Sequence, residues 1–232
     1  MRKILVITSL LFVLSLVSCQ NDDNSIMPDV NYNPTVNPAN FSFIIDNPYF
    51  PLTPGKIYTY SGAEDIIITV STETKIVAGV TCIVVRDLVA ENGVTVEDTY
   101  DWYAQDNEGN VWYFGEKVSN YENGVFVDSE GSFESGVDGA KPGIIMLASP
   151  VIEMPYRQEY YFNVAEDWGK VVAKGLTITT PFGTFNNCIK TEDWNALEPE
   201  VAHEYKYYAP GIGMVKEEIA GSSEVVELVS VQ

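Results

Sequence analysis

Two blocks of sequence occur twice at almost the same spacing, and this internal repeat constrains the fold more than any other feature. Residues 82–87 (CIVVRD) match residues 188–193 (CIKTED), 106 positions later. Residues 100–104 (YDWYA) match residues 205–209 (YKYYA), 105 positions later. Because two blocks recur in the same order, the repeat predicts two copies of a hairpin-plus-strand unit, packed about a pseudo-twofold axis.

The pattern of short apolar runs predicts an all-β domain. β-Branched or aromatic runs alternate with turn signals such as Pro-Gly and Asn-Gly, and long helical periodicity is absent. The runs lie at residues 57–60, 66–71, 82–89, 99–105, 111–114, 156–162, 176–180, 188–193, 204–208 and 225–231. Short turns favour antiparallel pairing, in a curved sheet or half-barrel or in a sandwich.

Alternation along the repeated strands predicts which side chains share a face. The two aromatic faces carry Asp98, Tyr100, Trp102 and Ala104 in the first copy and His203, Tyr205, Tyr207 and Ala209 in the second. The opposite faces carry Asp101 and Lys206. We expect the aromatic faces to point toward the core.

The N-terminal residues resemble a bacterial lipoprotein signal. Arg2 and Lys3 precede an apolar run at residues 4–17 that is short for a membrane span, and Ser18 and Cys19 complete a lipobox. The resemblance implies that residues 1–18 are a signal peptide, removed after a diacylglyceryl group is attached to Cys19. An ordinary secretory peptide with a chance cysteine, or an uncleaved anchor, is the alternative.

The chain is predicted to divide into three parts. After the signal peptide, residues 19–40 hold the lipidated cysteine and a flexible tether rich in Asn, Asp and Pro, with a mean span of about 25 Å. Residues 41–232 are predicted to form a single all-β domain. The two repeat units are assigned to about residues 64–116 and 171–219.

The charge limits the partners of the protein. The formal net charge is −20, and loss of Arg2 and Lys3 with the signal peptide makes it about −22. Such a surface repels nucleic acid and anionic headgroups, so the N-terminal lipid must provide the membrane attachment. Asp22 and Asp23 resemble the acidic export signal of some surface lipoproteins. The predicted location is the outer membrane at the cell surface, with the periplasmic face as the alternative; the oligomeric state is not predicted.

Several longer blocks resemble a widespread, functionally uncharacterised family of secreted bacterial proteins and lipoproteins. These blocks are DWYAQDNEGNVWYFGE at 101–116, GVDGAKPGIIM at 136–146, YRQEYY at 156–161, AEDWG at 165–169 and KYYAPGIG at 206–213. The resemblance implies one compact secreted domain over most of residues 47–216. It implies no catalytic residue.

Aromatic and charged side chains supply the candidate binding residues. Trp102, Trp112 and Tyr207 carry rings that could stack on a sugar or line an apolar pocket. Arg157 and Glu159 lie in an aromatic strand and could contact polar groups of the same ligand. The sequence therefore favours a binding or structural role, with a glycan or a small apolar molecule as ligand, although core packing would explain the rings equally well.

A secreted hydrolase that uses two carboxyl groups is the alternative function. Glu159, Glu166 and Asp167 are the candidates for such a pair, and ion pairing with Arg157 is the simpler interpretation. A pocket with paired, desolvated carboxyl groups would favour the enzyme, whereas an exposed aromatic strip would favour binding. The sequence does not decide whether the chain is an enzyme, and favours a protein that is not; it predicts no catalytic residue and no cofactor.

Metal and disulfide chemistry are weakly indicated. Residues 122–138 carry five acidic side chains among glycines, so calcium is chemically plausible, but no metal ligand is assigned. The single histidine, His203, is expected to be a hydrogen-bonded core or rim residue. Cys82 and Cys188 are predicted to be free thiols, and Cys188 is expected on a partly exposed side because Lys190 and Glu192 share its face.

Overall fold

Seventeen strands form one antiparallel sheet in the computed structural model, which describes residues 31–232. They are β1 (Phe41–Ser42), β2 (Ile57–Gly62), β3 (Asp65–Val77), β4 (Val80–Glu91), β5 (Val94–Asp106), β6 (Val111–Lys117), β7 (Asn120–Glu122), β8 (Val125–Asp128), β9 (Phe133–Glu134), β10 (Lys141–Met146), β11 (Pro155–Arg157), β12 (Glu159–Tyr160), β13 (Asp167–Thr180), β14 (Gly183–Asn195), β15 (Glu204–Ala209), β16 (Gly213–Ile219) and β17 (Val225–Val231). The predicted all-β class is confirmed. The signal peptide, Cys19, Asp22 and Asp23 lie outside the described residues.

The strand pairing almost closes the sheet into a barrel. Strands β13 to β17 pair in chain order, β17 pairs with β2, and β2 to β6 again pair in chain order. Strand β6 then pairs with β10, β10 with β12, and β11 with β13. Because β11 and β12 are consecutive, this last pairing brings the sheet back to its first strand and encloses an interior.

One end of the barrel is covered by the segment between β1 and β2. Gly211 in the β15–β16 turn donates its N–H to the carbonyl of Pro48, and the side-chain amide of Asn47 donates to the carbonyl of Gly109 in the β5–β6 turn. Phe50 packs against the core and Leu52 is buried in it. We call this the plugged end, because apolar side chains of the segment fill the barrel there.

The opposite end carries acidic turns. In an antiparallel barrel alternate turns lie at opposite ends, so the turns at residues 63–64, 92–93 and 220–224 face away from the plugged end. Glu64, Glu91 and Glu224 lie in or beside these turns. We call this the acidic end, and it leads toward the site described below.

The expectation that the aromatic faces point into the core is wrong for the first repeat, and in the second repeat Lys206, on the face opposite the aromatic residues, lines the interior as well. Tyr100 is 40% exposed, whereas Asp101 on the opposite face is 7% exposed and lines the barrel interior. Trp102 is buried on the outside of the barrel, in a second cluster that residues 36–41 help to cover. The sequence rule failed because the interior contains a polar cavity, so charged residues rather than aromatic ones mark the inward face.

The two repeat segments occupy corresponding strands. Residues 82–87 lie in β4 and residues 188–193 lie in β14, each the second strand of a long hairpin. Ile83 pairs with Tyr103 in the first copy, and the matching Ile189 pairs with Tyr208 in the second. The pairing registers therefore agree, while the pseudo-twofold relation of the whole units stays a prediction.

Cys82 and Cys188 are buried free thiols, each 0% exposed. They belong to different hydrophobic clusters, Cys82 to the outer one and Cys188 to the main core. The expected partial exposure of Cys188 is wrong. The β13–β14 pairing contains three register shifts, one of them between Lys174 and Leu176, the residue paired with Cys188, so simple alternation does not predict the side on which this thiol lies.

The described part of the predicted tether packs on the sheet. The Tyr32 hydroxyl donates to the carbonyl of Pro142 (2.9 Å), and Lys141 Nζ donates to the carbonyl of Tyr32 (2.6 Å). A short 3-10 helix, Pro38–Asn40, leads into β1. Within residues 31–232, no helix has both the length and the apolar character needed to cross a membrane.

Candidate functional site

The barrel interior holds a polar cavity of about 330 Å³. Its wall contains six carboxyl groups and one ammonium group, which belong to Asp87, Glu97, Asp101, Glu116, Glu159, Asp167 and Lys206. The remaining lining residues are Thr99, Tyr103, Tyr113, Ile145 and Gln158. This volume lies at the lower end of the range for small-molecule sites, and its lining is unusually acidic.

Local strand geometry brings these side chains together. On β5, alternation directs Thr99, Asp101 and Tyr103 to the interior. Gln158 separates β11 from β12 and breaks the alternation, so that Gln158 and Glu159 both line the cavity while Arg157 packs among aromatic rings. The interruption explains why Glu159 does not pair with its neighbour Arg157.

Only part of the acidic lining is hydrogen-bonded. The Tyr113 hydroxyl donates to Asp101 Oδ1 (2.6 Å), and the Thr99 hydroxyl donates to Glu97 Oε1 (2.8 Å). Among the described residues, the carboxyl group of Glu159 has no hydrogen bond or ion pair, although this residue is only 7% exposed. Asp87 Oδ1 and Asp167 Oδ1 are likewise buried without a hydrogen-bond partner in this part of the chain. The site therefore contains carboxyl oxygens that can accept hydrogen bonds but have no donor among the described residues.

Lys206 does not balance this charge. Its Nζ lies 3.0 Å from Glu204 Oε2 and 3.6 Å from Asp193 Oδ2, and neither residue is one of the six lining acids. Burial acts to lower the pKa of Lys206, but the carboxylates of Glu204, Glu217 and Asp193 outweigh burial and raise that pKa well above its usual value. Lys206 therefore stays charged and belongs to a separate ion-pair group.

Burial raises the pKa of several lining carboxyl groups. It raises the pKa of Glu116 to about 8. A hydrogen bond donated by Tyr113 opposes this rise, and repulsion from Glu97, Asp167 and Asp87 adds to it. Burial raises the pKa of Asp167 to about 6 in spite of the nearby ammonium of Lys206. Burial also raises the pKa of Asp101 and of Glu159 well above the usual range. Part of this lining is therefore protonated near neutral pH.

An apolar cavity of about 80 Å³ adjoins the polar one on the side of the plugged end. The two cavities share Asp87, Asp101 and Tyr103 as walls. Further walls of the apolar cavity are Phe50, Pro51, Leu52, Tyr58, Tyr60, Ile68, Val85, Ile212, Gly213 and Met214. The interior therefore offers a polar and an apolar compartment, which we together call the chamber.

An acidic cleft of about 300 Å³ lies at the acidic end. Six glutamates line it, namely Glu64, Glu91, Glu204, Glu217, Glu218 and Glu224. Burial, followed by repulsion from Glu91, Glu204, Glu97 and Glu224, raises the pKa of Glu64, so these side chains lie close together. Glu204 and Glu217 also act on Lys206 in the chamber wall, which places the cleft next to the chamber. We call this cleft the acidic mouth.

The predicted binding residues do not converge on one site. Trp102 lines an open external groove of about 390 Å³, but Lys75 Nζ lies 3.2 Å from its ring centroid and covers that face. Trp112 donates its indole N–H to Asp106 Oδ2 (2.7 Å). Tyr207 is buried, and its hydroxyl donates to Glu218 Oε1. These three rings have structural partners in the folded chain.

The predicted charged pair is divided between two environments. Arg157 is 3% exposed, lies 4.6 Å from the ring centroids of Tyr160 and Trp168, and makes a 3.5 Å contact with Glu166 Oε2. Glu159 is the one proposed binding residue that the structure places in the chamber. Asp167, proposed as a partner for a catalytic pair, lines the same cavity as Glu159.

The other chamber residues were not predicted from the sequence, although the repeat contained a signal for them. Asp87 matches Asp193 and Asp101 matches Lys206 in the two copies, and all four lie at or beside the chamber wall. The alternation placed Asp101 and Lys206 on the faces opposite the aromatic residues. Charged residues at matching inward positions of two strands could have indicated a polar interior.

No metal centre is evident in the described residues. No group of three or more His, Cys, Asp or Glu side chains in residues 31–232 has an arrangement that could hold a metal ion. In the acidic segment, Asp128 Oδ1 accepts from Asn120 Nδ2 (2.8 Å) and from the N–H of Glu130 (3.1 Å), which holds the pKa of Asp128 below its usual value. His203 Nδ1 lies 2.6 Å from Glu192 Oε1, and its ring stacks on Trp194.

Comparisons with known proteins identify similar folds and no family. No protein-family profile and no curated protein matches the sequence. A protein from Bacteroides fragilis, described as exported and as having a YmcC-like fold, is similar with 17% identity and a TM-score of 0.44, over 79% of this chain and 98% of that one. A protein from Parabacteroides distasonis, described as a lipoprotein, is similar with 14% identity and a TM-score of 0.41, over the same shares. The family resemblance of the sequence blocks stays a prediction.

Proposed function

We propose that the protein is a lipid-anchored lipoprotein of the outer membrane, exposed at the cell surface, whose barrel binds a small molecule in the chamber. The observation that carries the binding role is the cavity of about 330 Å³ in the barrel, with Glu159 buried in its wall and unpaired among the described residues. Buried polar groups without partners are costly, so a fold that keeps them has a use for them or for their ligand. The proposal of a lipid anchor depends on the lipobox sequence alone.

A cavity-filling substitution tests the binding role. Ile145 lines the polar compartment, so Ile145→Trp should fill it and prevent binding, while Ile76→Trp, on a side chain that is 69% exposed, should not. Each protein is purified from envelopes and denatured, and the released small molecules are compared by mass spectrometry. We expect compounds that accompany the wild type and Ile76→Trp but not Ile145→Trp. Identical extracts from all three folded proteins would contradict a ligand in the chamber.

Replacement of the lipobox cysteine tests the anchor. Cys19→Ala removes the thiol that would carry the diacylglyceryl group, so the protein should leave the membrane fraction or remain as an unprocessed precursor. Fractionation and mass spectrometry of the mature N-terminus measure both effects. A mature wild-type N-terminus without acyl groups would contradict the anchor. Protease treatment of intact cells then separates the surface location from the periplasmic one.

A carboxyl-dependent hydrolase is a second candidate, because the chamber has the paired, desolvated carboxyl groups that such chemistry uses. Glu116, with a pKa of about 8, could donate a proton, and Asp167, with a pKa of about 6, could accept one. Turnover of small nitrophenyl glycosides by the wild type, abolished in Glu116→Gln, would support this role. Absence of turnover across the panel would leave binding as the function of the chamber.

A further inference from the structure

The chamber has an unbalanced charge, and this imbalance indicates what it binds. Six carboxyl groups line the polar compartment, and its one ammonium group, Lys206, is engaged by Glu204 and Asp193. A buried carboxylate without a counter-charge is strongly unfavourable, so the empty chamber must retain protons on part of its lining. A ligand that brings positive charge would replace those protons.

Glu159 supplies the independent observation. It is 7% exposed, it lines the cavity, and its carboxyl group has no hydrogen bond or ion pair among residues 31–232. Asp87 Oδ1 and Asp167 Oδ1, which are also buried without a hydrogen-bond partner in these residues, belong to the same wall. An ammonium group has three donors and no acceptor, so it complements a set of unpaired carboxyl oxygens.

The apolar compartment defines the rest of the ligand. It begins at Asp87, Asp101 and Tyr103, which it shares with the polar compartment, and continues along aliphatic and aromatic side chains such as Ile68, Val85 and Met214. A short hydrocarbon chain attached to the cation would remove these surfaces from water. A bare metal ion would leave this compartment empty and would need a ligand arrangement that the described residues do not have.

The acidic mouth favours the approach of the same kind of ligand. Its six glutamates adjoin the chamber through Glu204 and Glu217, and a cleft lined with one sign of charge concentrates ions of the opposite sign. We propose that the chamber takes a small organic cation, a protonated amine with a short hydrocarbon chain, with its ammonium group at Glu159 and Asp101 and its chain in the apolar compartment. This inference rests on the proposed ligand-binding function and names its ligand class.

Binding of an amine should release protons. The groups that face Glu159 are Asp167 on β13, Glu116 on β6, Asp101 on β5 and Lys206 on β15, and the three acids among them raise the pKa of Glu159 in addition to its burial. A bound ammonium would lower these carboxyl pKa values, so protons leave as the ligand enters. The observed binding enthalpy should therefore depend on the ionisation enthalpy of the buffer.

The test compares probes of one size and different charge. The full-length protein, purified in a nonionic detergent, is titrated calorimetrically with n-hexylamine, n-hexanol and n-hexanoate at matched ionic strength near neutral pH. We expect n-hexylamine to bind at least about tenfold more tightly than either other probe, since a charged hydrogen bond contributes about that factor or more. Equal binding of n-hexanol would overturn the cation assignment while leaving the chamber a binding site.

Paired variants locate the effect. Glu159→Gln keeps the shape of the side chain but cannot become a carboxylate when the amine binds, and should weaken n-hexylamine binding about tenfold. Glu108→Gln makes the same change on an exposed side chain and should leave the affinity unchanged. An affinity unaffected by Glu159→Gln, or no binding of n-hexylamine at all, would overturn the inference. The proposed function is tested separately, by the compounds released from the wild type and from Ile145→Trp.

Discussion

The free energy of unfolding is expected to fall by about 3 kcal/mol or more as the pH rises from about 5 to about 9, since each pKa unit corresponds to about 1.4 kcal/mol. Burial raises the pKa of Asp167 from 3.8 to about 6 and that of Glu116 from 4.5 to about 8. The folded protein therefore holds protons that the unfolded chain has already lost. Such a carboxyl group contributes its full stability at pH values below its pKa in the unfolded chain. This stability is lost as the pH rises through the higher pKa that the group has in the folded protein.

Other groups act outside this window. The pKa values of Glu192, Glu204 and Glu218 are lowered in the fold, so their contribution is lost only when the pH falls below the usual glutamate pKa. The pKa of Lys206 is raised above 10.5, so its contribution is lost at still higher pH. Between pH values of about 5 and 9 the chamber carboxyl groups therefore contribute to the slope, and Glu64, Asp193 and Glu217, whose pKa values are also raised, act in the same direction.

Urea unfolding at several pH values measures this slope. Glu116→Gln removes one of the titrating groups and should flatten the dependence between about pH 5 and about pH 8. Glu108→Gln removes one exposed charge and controls for general repulsion in this acidic chain. A stability that is constant or rises over the window, or equal slopes in the two variants, would contradict protonated carboxyl groups in the chamber.

Gly143→Ala should destabilise the barrel by about 3 kcal/mol, because it forces apart two strands next to the chamber. A Cβ atom on Gly143 would lie 2.4 Å from the carbonyl carbon and oxygen of Gln158 and 2.6 Å from the carbonyl oxygen of Arg157. These are backbone atoms, so no rotamer change relieves the contact. Strand β10 would have to move away from the segment that carries Glu159.

Gly183→Ala is the matched control for this substitution. Gly183 begins β14, and a Cβ atom there would meet only Phe185 Cζ at 4.0 Å, an ordinary van der Waals distance. It should change the free energy of unfolding by less than about 1 kcal/mol. Denaturant unfolding of both variants measures the difference, and equal stabilities would contradict the close backbone approach at Gly143.

Most of the longer strands were predictable because they carry a local signal, whereas β1, β7, β8, β9, β10 and β16 were not predicted. Hairpin turns with glycine, such as Asn92-Gly93, separate runs with period-two alternation, and the repeated blocks fall in β4, β5, β14 and β15. Closure of the barrel was not predictable from local pattern. It depends on the pairing of β17 with β2, which joins the last strand to one near the start of the domain, and on the pairings of β10 with β6 and β12.

The site was less predictable, because its residues break the rule that the inward face is apolar. Asp101 was assigned by alternation to the face opposite the core, because the aromatic face was expected to point inward, yet it is 7% exposed inside the barrel. Glu159 was a candidate through its position beside Arg157, but the interruption at Gln158 places these two side chains in different environments. A polar interior is a property of the closed sheet, and single strands do not reveal it.

An NMR pH titration of the Asp and Glu carboxyl carbons, in isotope-labelled protein, shows whether the chamber holds protonated carboxyl groups that a cation can replace. We expect that Glu116, identified by the loss of its signal in Glu116→Gln, titrates near pH 8, and that other chamber carboxyl groups also titrate well above their usual range. Addition of n-hexylamine should shift these titrations to lower pH. A spectrum in which every carboxyl carbon titrates below about pH 5, with or without the amine, would contradict the acidic, cation-binding chamber.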